Sequence, residues 1–145
     1  MSGDDGLAIT LFSELLTADQ LLRARLAKAL PDRMELSHFS VLNHLARGAE
    51  KTPVQLSRVF HVTRGAMTNT LSRLEAQGYV HVRPDWDDAR RKLVSISPAG
   101  LEARDAALRA IMPLVSELVG ALGREKVRAA MPVLRELRLR LESEG

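Results

Sequence analysis

The sequence predicts a mainly α-helical protein that carries one small β-hairpin between its helices. Three observations support this. Leu and Ala dominate while aromatic residues make up only 3% of the 145 residues, a composition suited to helix-on-helix packing. Apolar residues recur at steps of three and four along most of the chain. Only two short segments, YVHVR and KLVSIS, alternate instead with a period of two.

Each element follows from local chemistry. Residues 7–30 carry Leu7, Leu11, Leu15, Leu22, Leu26 and Leu30, mostly four apart, and Pro31 ends that helix. A second helix starts near Ser37, a candidate N-cap, turns Phe39, Leu42 and Leu45 inward and closes at Gly48. In TPVQ at 52–55, Thr52 and Gln55 flank Pro53 at the first helical position. This is a capping box, and it opens a short helix expected to bury Leu56, Val59 and Phe60. HVT interrupts, and Thr63 caps a helix over 64–77 that turns Met67, Leu71 and Leu74 inward and ends at Gly78.

The alternating pairs Val80/Val82 and Val94/Ile96 then predict two strands, separated by residues 84–91, which read as a loop too long for a tight turn. Ser97 and Pro98 start the next helix. It runs towards Leu122 with Leu108, Ile111, Val115, Leu118 and Val119 on one side and Pro113 in its interior. Gly123 breaks it, and a last helix carries Val127, Met131, Leu134, Leu137 and Leu141 around an interior Pro132.

Composition removes several function classes. With no cysteine, disulfides, thiolate metal sites and thiol redox sensing are excluded. The four histidines form no i, i+4 pair, so no metal site is expected; the five methionines read as core filler. No glycine-rich phosphate loop or nucleophile elbow is present, so neither catalysis nor a cofactor is expected. MSGDDGLAIT carries acids where an export signal carries Lys or Arg, and IMPLVSELVGAL at 111–122 is too short and too interrupted to span a bilayer. A cytoplasmic protein with no membrane partner is the expectation. The net charge of +3 and pI near 9.8 suit a polyanionic partner.

Two short helices joined by a tight turn and followed by a hairpin make a winged helix-turn-helix, whose second helix is offered to the major groove of double-stranded DNA. On 64–77 the face opposite the core carries Arg64, Thr68, Asn69, Ser72 and Arg73, with Thr63 at its start and no acid before Glu75. Asn and Arg are residue types able to make paired bonds to adenine and guanine edges. The alternative is an ordinary solvated helix face.

In RPDWDDARRKLV at 83–94, Arg90 or Arg91 suits the negative potential of a minor groove. Asp88, two residues before Arg90, is expected to orient that guanidinium, while Asp85 and Asp87 suit turn formation and Trp86 reads as a packing anchor at the loop base. The alternative is an exposed ion-pair cluster of little energetic value.

VTRGAMTNTLSRLEAQGYV at 62–80 and RPDWDDARRKLVSISPAG at 83–100 resemble the multiple-antibiotic-resistance regulator (MarR) family. Asp88 and Arg90 match its Asp-x-Arg wing pattern, and SPAG matches the Thr/Ser-x-x-Gly that opens its next helix. Trp86 stands where a proline is common, and Ala89 replaces a frequent arginine. The resemblance implies an N-terminal helix over 1–35, a winged DNA-binding domain over 36–97 and helices over 98–145, the terminal segments interleaving in a homodimer. It further implies a repressor on a palindromic operator, answering to a small aromatic or anionic effector whose binding residues the sequence leaves unknown. Independently, the stripes at 7–30 and 101–141 hold more apolar surface than a small winged core covers, which also predicts a dimer. The alternatives are that these helices cover the winged core within one chain, and that the fold serves as a protein-binding module.

Overall fold

The computed structural model describes residues 2–143. Its elements run α1 (Gly3–Ala29), a 3-10 turn (Pro31–Arg33), α2 (Leu36–Leu45), α3 (Pro53–Val59), α4 (Arg64–Ala76), β1 (Val80–Asp85), β2 (Asp88–Ile96), α5 (Pro98–Leu122) and α6 (Arg124–Ser143). The mainly helical class with one antiparallel hairpin is as expected. The backbone divides into two compact units, Met1–Ala110 and Ile111–Gly145, so α5 begins in one and ends in the other.

The core of the first unit is built from α2, α3, α4 and the hairpin. Val41, Leu42, Leu45, Leu56, Met67, Leu71, Leu74, Val80 and Val94 form one buried cluster. Burying each of these larger side chains contributes about 1.5–3 kcal/mol, which is why the helical spacing of 67, 71 and 74 decides the rotation of α4. The capping box at Thr52 forms as the sequence requires, Thr52 Oγ1 accepting from Gln55 N at 3.1 Å and Gln55 Oε1 accepting from Thr52 N at 2.9 Å. Thr63 likewise caps α4, accepting from Ala66 N at 3.1 Å.

Four expectations need correction. α1 starts at Gly3 because Ser2 and Asp5 form a capping box that the leucine stripe does not report. The N-cap of α2 is Glu35, not Ser37; its carboxylate makes no cap bond and is drawn instead to Arg73 at 3.2 Å. Val59 is 45% exposed, whereas Ser57 is buried. The chain reverses just after α3, with His61 at φ 52° and Val62 N bonded to Ser57 O at 3.0 Å, so the inward face is Leu56, Ser57 and Phe60.

The fourth correction concerns the hairpin. Residues 84–91 are not a long loop: the strands continue to a two-residue turn, Trp86–Asp87, with Asp85 opposite Asp88. Pro84 faces Lys92 in the register, leaving residues 89–91 as an outward bulge on β2. Pro84 has no N–H to donate, so the ladder breaks where a bulge can form. Lys51 adds a two-bond bridge to Val94, N to O at 3.0 Å and O to N at 2.8 Å, tying the segment after α2 to the wing.

SPAG explains how the hairpin returns to the helices. Buried Ser97 donates through Oγ to Gly78 O at 2.5 Å, accepts from Gly100 N at 2.9 Å and donates through its own N–H to Tyr79 O at 3.0 Å. A Cβ on Gly100 would run into the Tyr79 carbonyl and meet Ile96 Cγ1 at 2.9 Å. Only glycine lets α5 start this close to the end of α4.

α1 buries none of its residues; Leu7 and Leu16 are each 70% exposed and Leu21 is 62% exposed. Within the second unit α6 also buries nothing, leaving Val133 and Leu141 more than half exposed. Among the described residues no single helix is long and apolar enough to cross a membrane.

Candidate nucleic-acid interface

With the buried face of α4 turned to the core, its other side is open. Thr63, Arg64, Thr68, Asn69, Ser72 and Arg73 are all exposed. They do not share one direction. Thr68 and Ser72 lie on the wing side, along a groove with Pro53, Val82 and Lys92, whereas Asn69 borders a cavity towards α1 and α2. Arg73 reaches Glu35 rather than solvent alone, through a contact about half exposed on both sides and therefore worth little. Burial lowers the pKa of His38, which also faces Glu35 at 3.6 Å; Glu35 opposes the shift and Arg73 reinforces it.

The hairpin assigns its three aspartates separate contacts. Asp85 is buried at the end of β1; its Oδ1 accepts from Asp87 N at 2.9 Å and closes the turn. Its Oδ2 accepts from Arg91 Nη2 at 2.7 Å and Nε at 3.2 Å. The Asp87 N–H, and then the Arg91 guanidinium, hold the Asp85 carboxyl below its ordinary pKa, and the same bond raises that of Arg91. Asp88 Oδ1 accepts from both the backbone N of Arg90 at 3.1 Å and its Nε at 3.2 Å. The Arg90 side chain is nevertheless 90% exposed. Arg91 is thus tied back to the turn, and Arg90 is projected from it.

Trp86 is not a packing anchor. It sits in the turn itself and is 81% exposed, because a two-residue hairpin tip has no core beneath it. Arg83 stacks on it, with Cζ 4.1 Å from the ring centroid.

Two cations join the site that sequence reasoning did not single out. Arg58 on α3 and Lys92 on β2 line one groove of about 510 Å³ with Arg90, Arg91 and the Thr52–Gln55 turn. The signal was available for Arg58, which falls on the polar side of the short capped helix. Lys92 needed the bulge, since only the register Pro84↔Lys92 brings it to that groove. Behind α4 lies a second cavity of about 720 Å³, walled by Leu22 and Leu26 of α1, Val41 of α2, and Met67 and Asn69 of α4. Among the described residues no three His, Asp or Glu side chains converge in a way that would hold a metal ion.

The chain is similar to known regulators in both sequence and structure. The sequence profile of the MarR family matches residues 34–91. An HTH-type transcriptional regulator of Mycobacterium leprae is 33% identical over 121 residues, spanning 78% of this chain and 85% of that protein. An HTH-type regulator of Mycobacterium bovis is 33% identical over 93 residues, 64% of this chain; the chain spans 65% of that relative's length. Among solved structures, a mutant MarR from E. coli in complex with operator DNA superposes with a TM-score of 0.79 at 27% identity, covering 90% of this chain and 95% of the other. Taken with the capped α3–α4 pair and the Asp88–Arg90 wing, these likenesses make the chain a member of the MarR family of winged-helix transcriptional regulators.

Proposed function

We propose that the chain is a sequence-specific, double-stranded-DNA-binding repressor that acts as a homodimer on a palindromic operator. The observation that carries this reading is the pairing of an exposed α4 face free of acids over residues 64–73 with a projected Arg90 on the same compact unit. Thr63, Arg64, Thr68, Asn69 and Ser72 meet the major groove, Arg73 stands beside them, and Arg90 enters the adjacent minor groove. Arg58, Arg91 and Lys92 line the groove between α3 and the wing, a seat for phosphate oxygens. The MarR structure solved with operator DNA shares this architecture, which supports the same use here.

The exposed leucines of α1 and the bare α6 favour a second copy as their cover, since apolar stripes of this length seldom stay in water. Two-fold symmetry then predicts half-sites about 10 bp apart. The cavity behind α4, mostly apolar with the Arg23–Asp19 pair at its edge, suits a small aromatic or anionic effector. Bound there, it shifts α4 and favours a spacing that no longer matches the operator.

Selection of bound duplexes from a random pool should return a palindrome. Arg90→Ala should then cost roughly 1–3 kcal/mol on that duplex. Removing Arg58 and Lys92 together should weaken binding to every duplex and flatten the log–log salt slope by about 0.9 for each phosphate left without its cation. Retention of no duplex at low salt, or binding indifferent to salt, would end this reading.

A further inference from the structure

Trp86 is the one large hydrophobic side chain exposed on the hairpin among the described residues of 80–96, at 81%. An indole offers an aromatic surface on the order of 150–250 Å², which is costly to leave in water without a use. It is also not free to tumble. The Arg83 guanidinium lies over the ring at 4.1 Å, and that guanidinium is itself held by Glu50 at 2.8 and 3.0 Å and by the Pro84 carbonyl at 3.0 Å. The turn that carries Trp86 is closed by Asp85 on Asp87 N, and Asp85 is in turn fixed by Arg91. Three segments therefore hold the indole: the loop after α2 through Glu50, β1 through Arg83 and Asp85, and β2 through Arg91.

A cation over a π face occupies one side of the ring and leaves the other open to a partner. Resting on the reading of this chain as a DNA-binding protein, we propose that Trp86 contacts the duplex directly. Its open face packs against the deoxyribose edge of the groove that Arg90 enters, and Glu50 and Arg83 act as its positioning residues. Charge selects the sugar. Residues 83–92 hold four cations, Arg83, Arg90, Arg91 and Lys92, against three aspartates, which draws the tip to a polyanion. Asp87 beside the indole repels phosphate, and bases in an intact duplex are stacked out of reach of an aromatic face. The C–H edge of deoxyribose is the apolar surface that remains. A protein partner would call for further large apolar side chains around the tip, and among residues 80–96 Trp86 alone is large, hydrophobic and exposed.

Trp86 is the only tryptophan in the chain, so its emission reports on the tip without a label. Full-length protein is titrated with the duplex recovered by random-pool selection and, at low salt, with a duplex of unrelated sequence. Binding should shield the indole from acrylamide in both cases. Trp86→Ala should weaken binding about fivefold, as expected for removing part of one aromatic contact, while the salt slope stays that of wild type because no counterion is involved. Trp86→Phe should keep most of the affinity, and thermal melts of both variants check that the wing still folds. Glu50→Ala should lower the fluorescence anisotropy of the free protein by loosening Arg83, a change that a purely structural loss of affinity would not produce. If the protein shifts the selected duplex but the indole stays equally open to acrylamide, or Trp86→Ala binds as tightly as wild type, the inference is overturned while the DNA-binding reading stands. Failure to bind any duplex would instead overturn that reading, and this inference with it.

Discussion

Asp88 offers a test in which two physical effects have opposite signs. Its carboxylate is negative and sits in a wing proposed to approach phosphates, so simple charge counting says that removing it should tighten binding. The geometry says the reverse. Asp88 Oδ1 accepts from Arg90 N at 3.1 Å and Nε at 3.2 Å and so restricts a side chain that is otherwise 90% exposed. The electrostatic gain is small: a unit charge about 8 Å from a phosphate in water-like surroundings is worth about 0.5 kcal/mol, less after salt screening. The loss is larger, because immobilising a freed, rotamer-rich arginine on binding costs roughly 0.5–1.5 kcal/mol. Asp88→Ala should therefore weaken operator binding by up to about fivefold per wing, from the difference of those two effects. Asp88→Asn keeps an acceptor at Oδ1 and removes the charge, so it should bind as well as wild type or better. Fluorescence anisotropy with labelled operator at physiological salt separates the three proteins. If Asp88→Ala bound as tightly as Asp88→Asn and both bound more tightly than wild type, charge alone would explain the series, and the orienting role of Asp88 would be refuted.

Two further outcomes concern the scaffold. Gly100→Ala should lower the melting temperature by roughly 10 °C, from an overpacking cost of about 3 kcal/mol or more against a backbone carbonyl that cannot move aside. A melt within about 2 °C of wild type would mean that α5 has room at its start after all. Asp85 has a folded-state pKa below its ordinary value, so its stabilisation is present above the unfolded carboxylate pKa and is lost as pH falls through the folded one. Asp85→Asn should therefore be less stable than wild type at neutral pH, and the gap should close in acid. A gap independent of pH, followed by thermal melts, would contradict the ionised Asp85–Arg91 contact.

The local chemistry of this chain reported well on itself. The Thr52–Gln55 capping box, the Thr63 cap, the inward Met67, Leu71 and Leu74, and the Ser97–Pro98 helix start are set by neighbours within four residues, so reading along the chain was enough to find them. The Asp88–Arg90 bond belongs to the same class, since two residues apart on a strand share a side. Errors arose where an element's fate rests on distant partners. Val59 has the right character for a buried position, but the turn at His61 rotates it out. Glu35 stands at the N-cap position of α2 without a cap bond, its carboxylate drawn instead to Arg73, thirty-eight residues on.

The sequence by itself determined which segments are helices, where most of them start, that a hairpin follows α4, and which residue types face away from the core. Periodicity and capping are short-range patterns, written in residues within a turn or two of one another. Only the tertiary structure decided how the wing ends. Pairing of Asp85 with Asp88 contracts an eight-residue loop to a two-residue turn and pushes residues 89–91 into a bulge. That bulge sends Arg90 outward, ties Arg91 back, brings Lys92 beside Arg58 and leaves Trp86 at the apex under Arg83. The physical reason is that strand register is a cross-strand quantity: it depends on which residue Pro84 faces and on a buried carboxylate finding its guanidinium, and neither is visible to a pattern read along one strand.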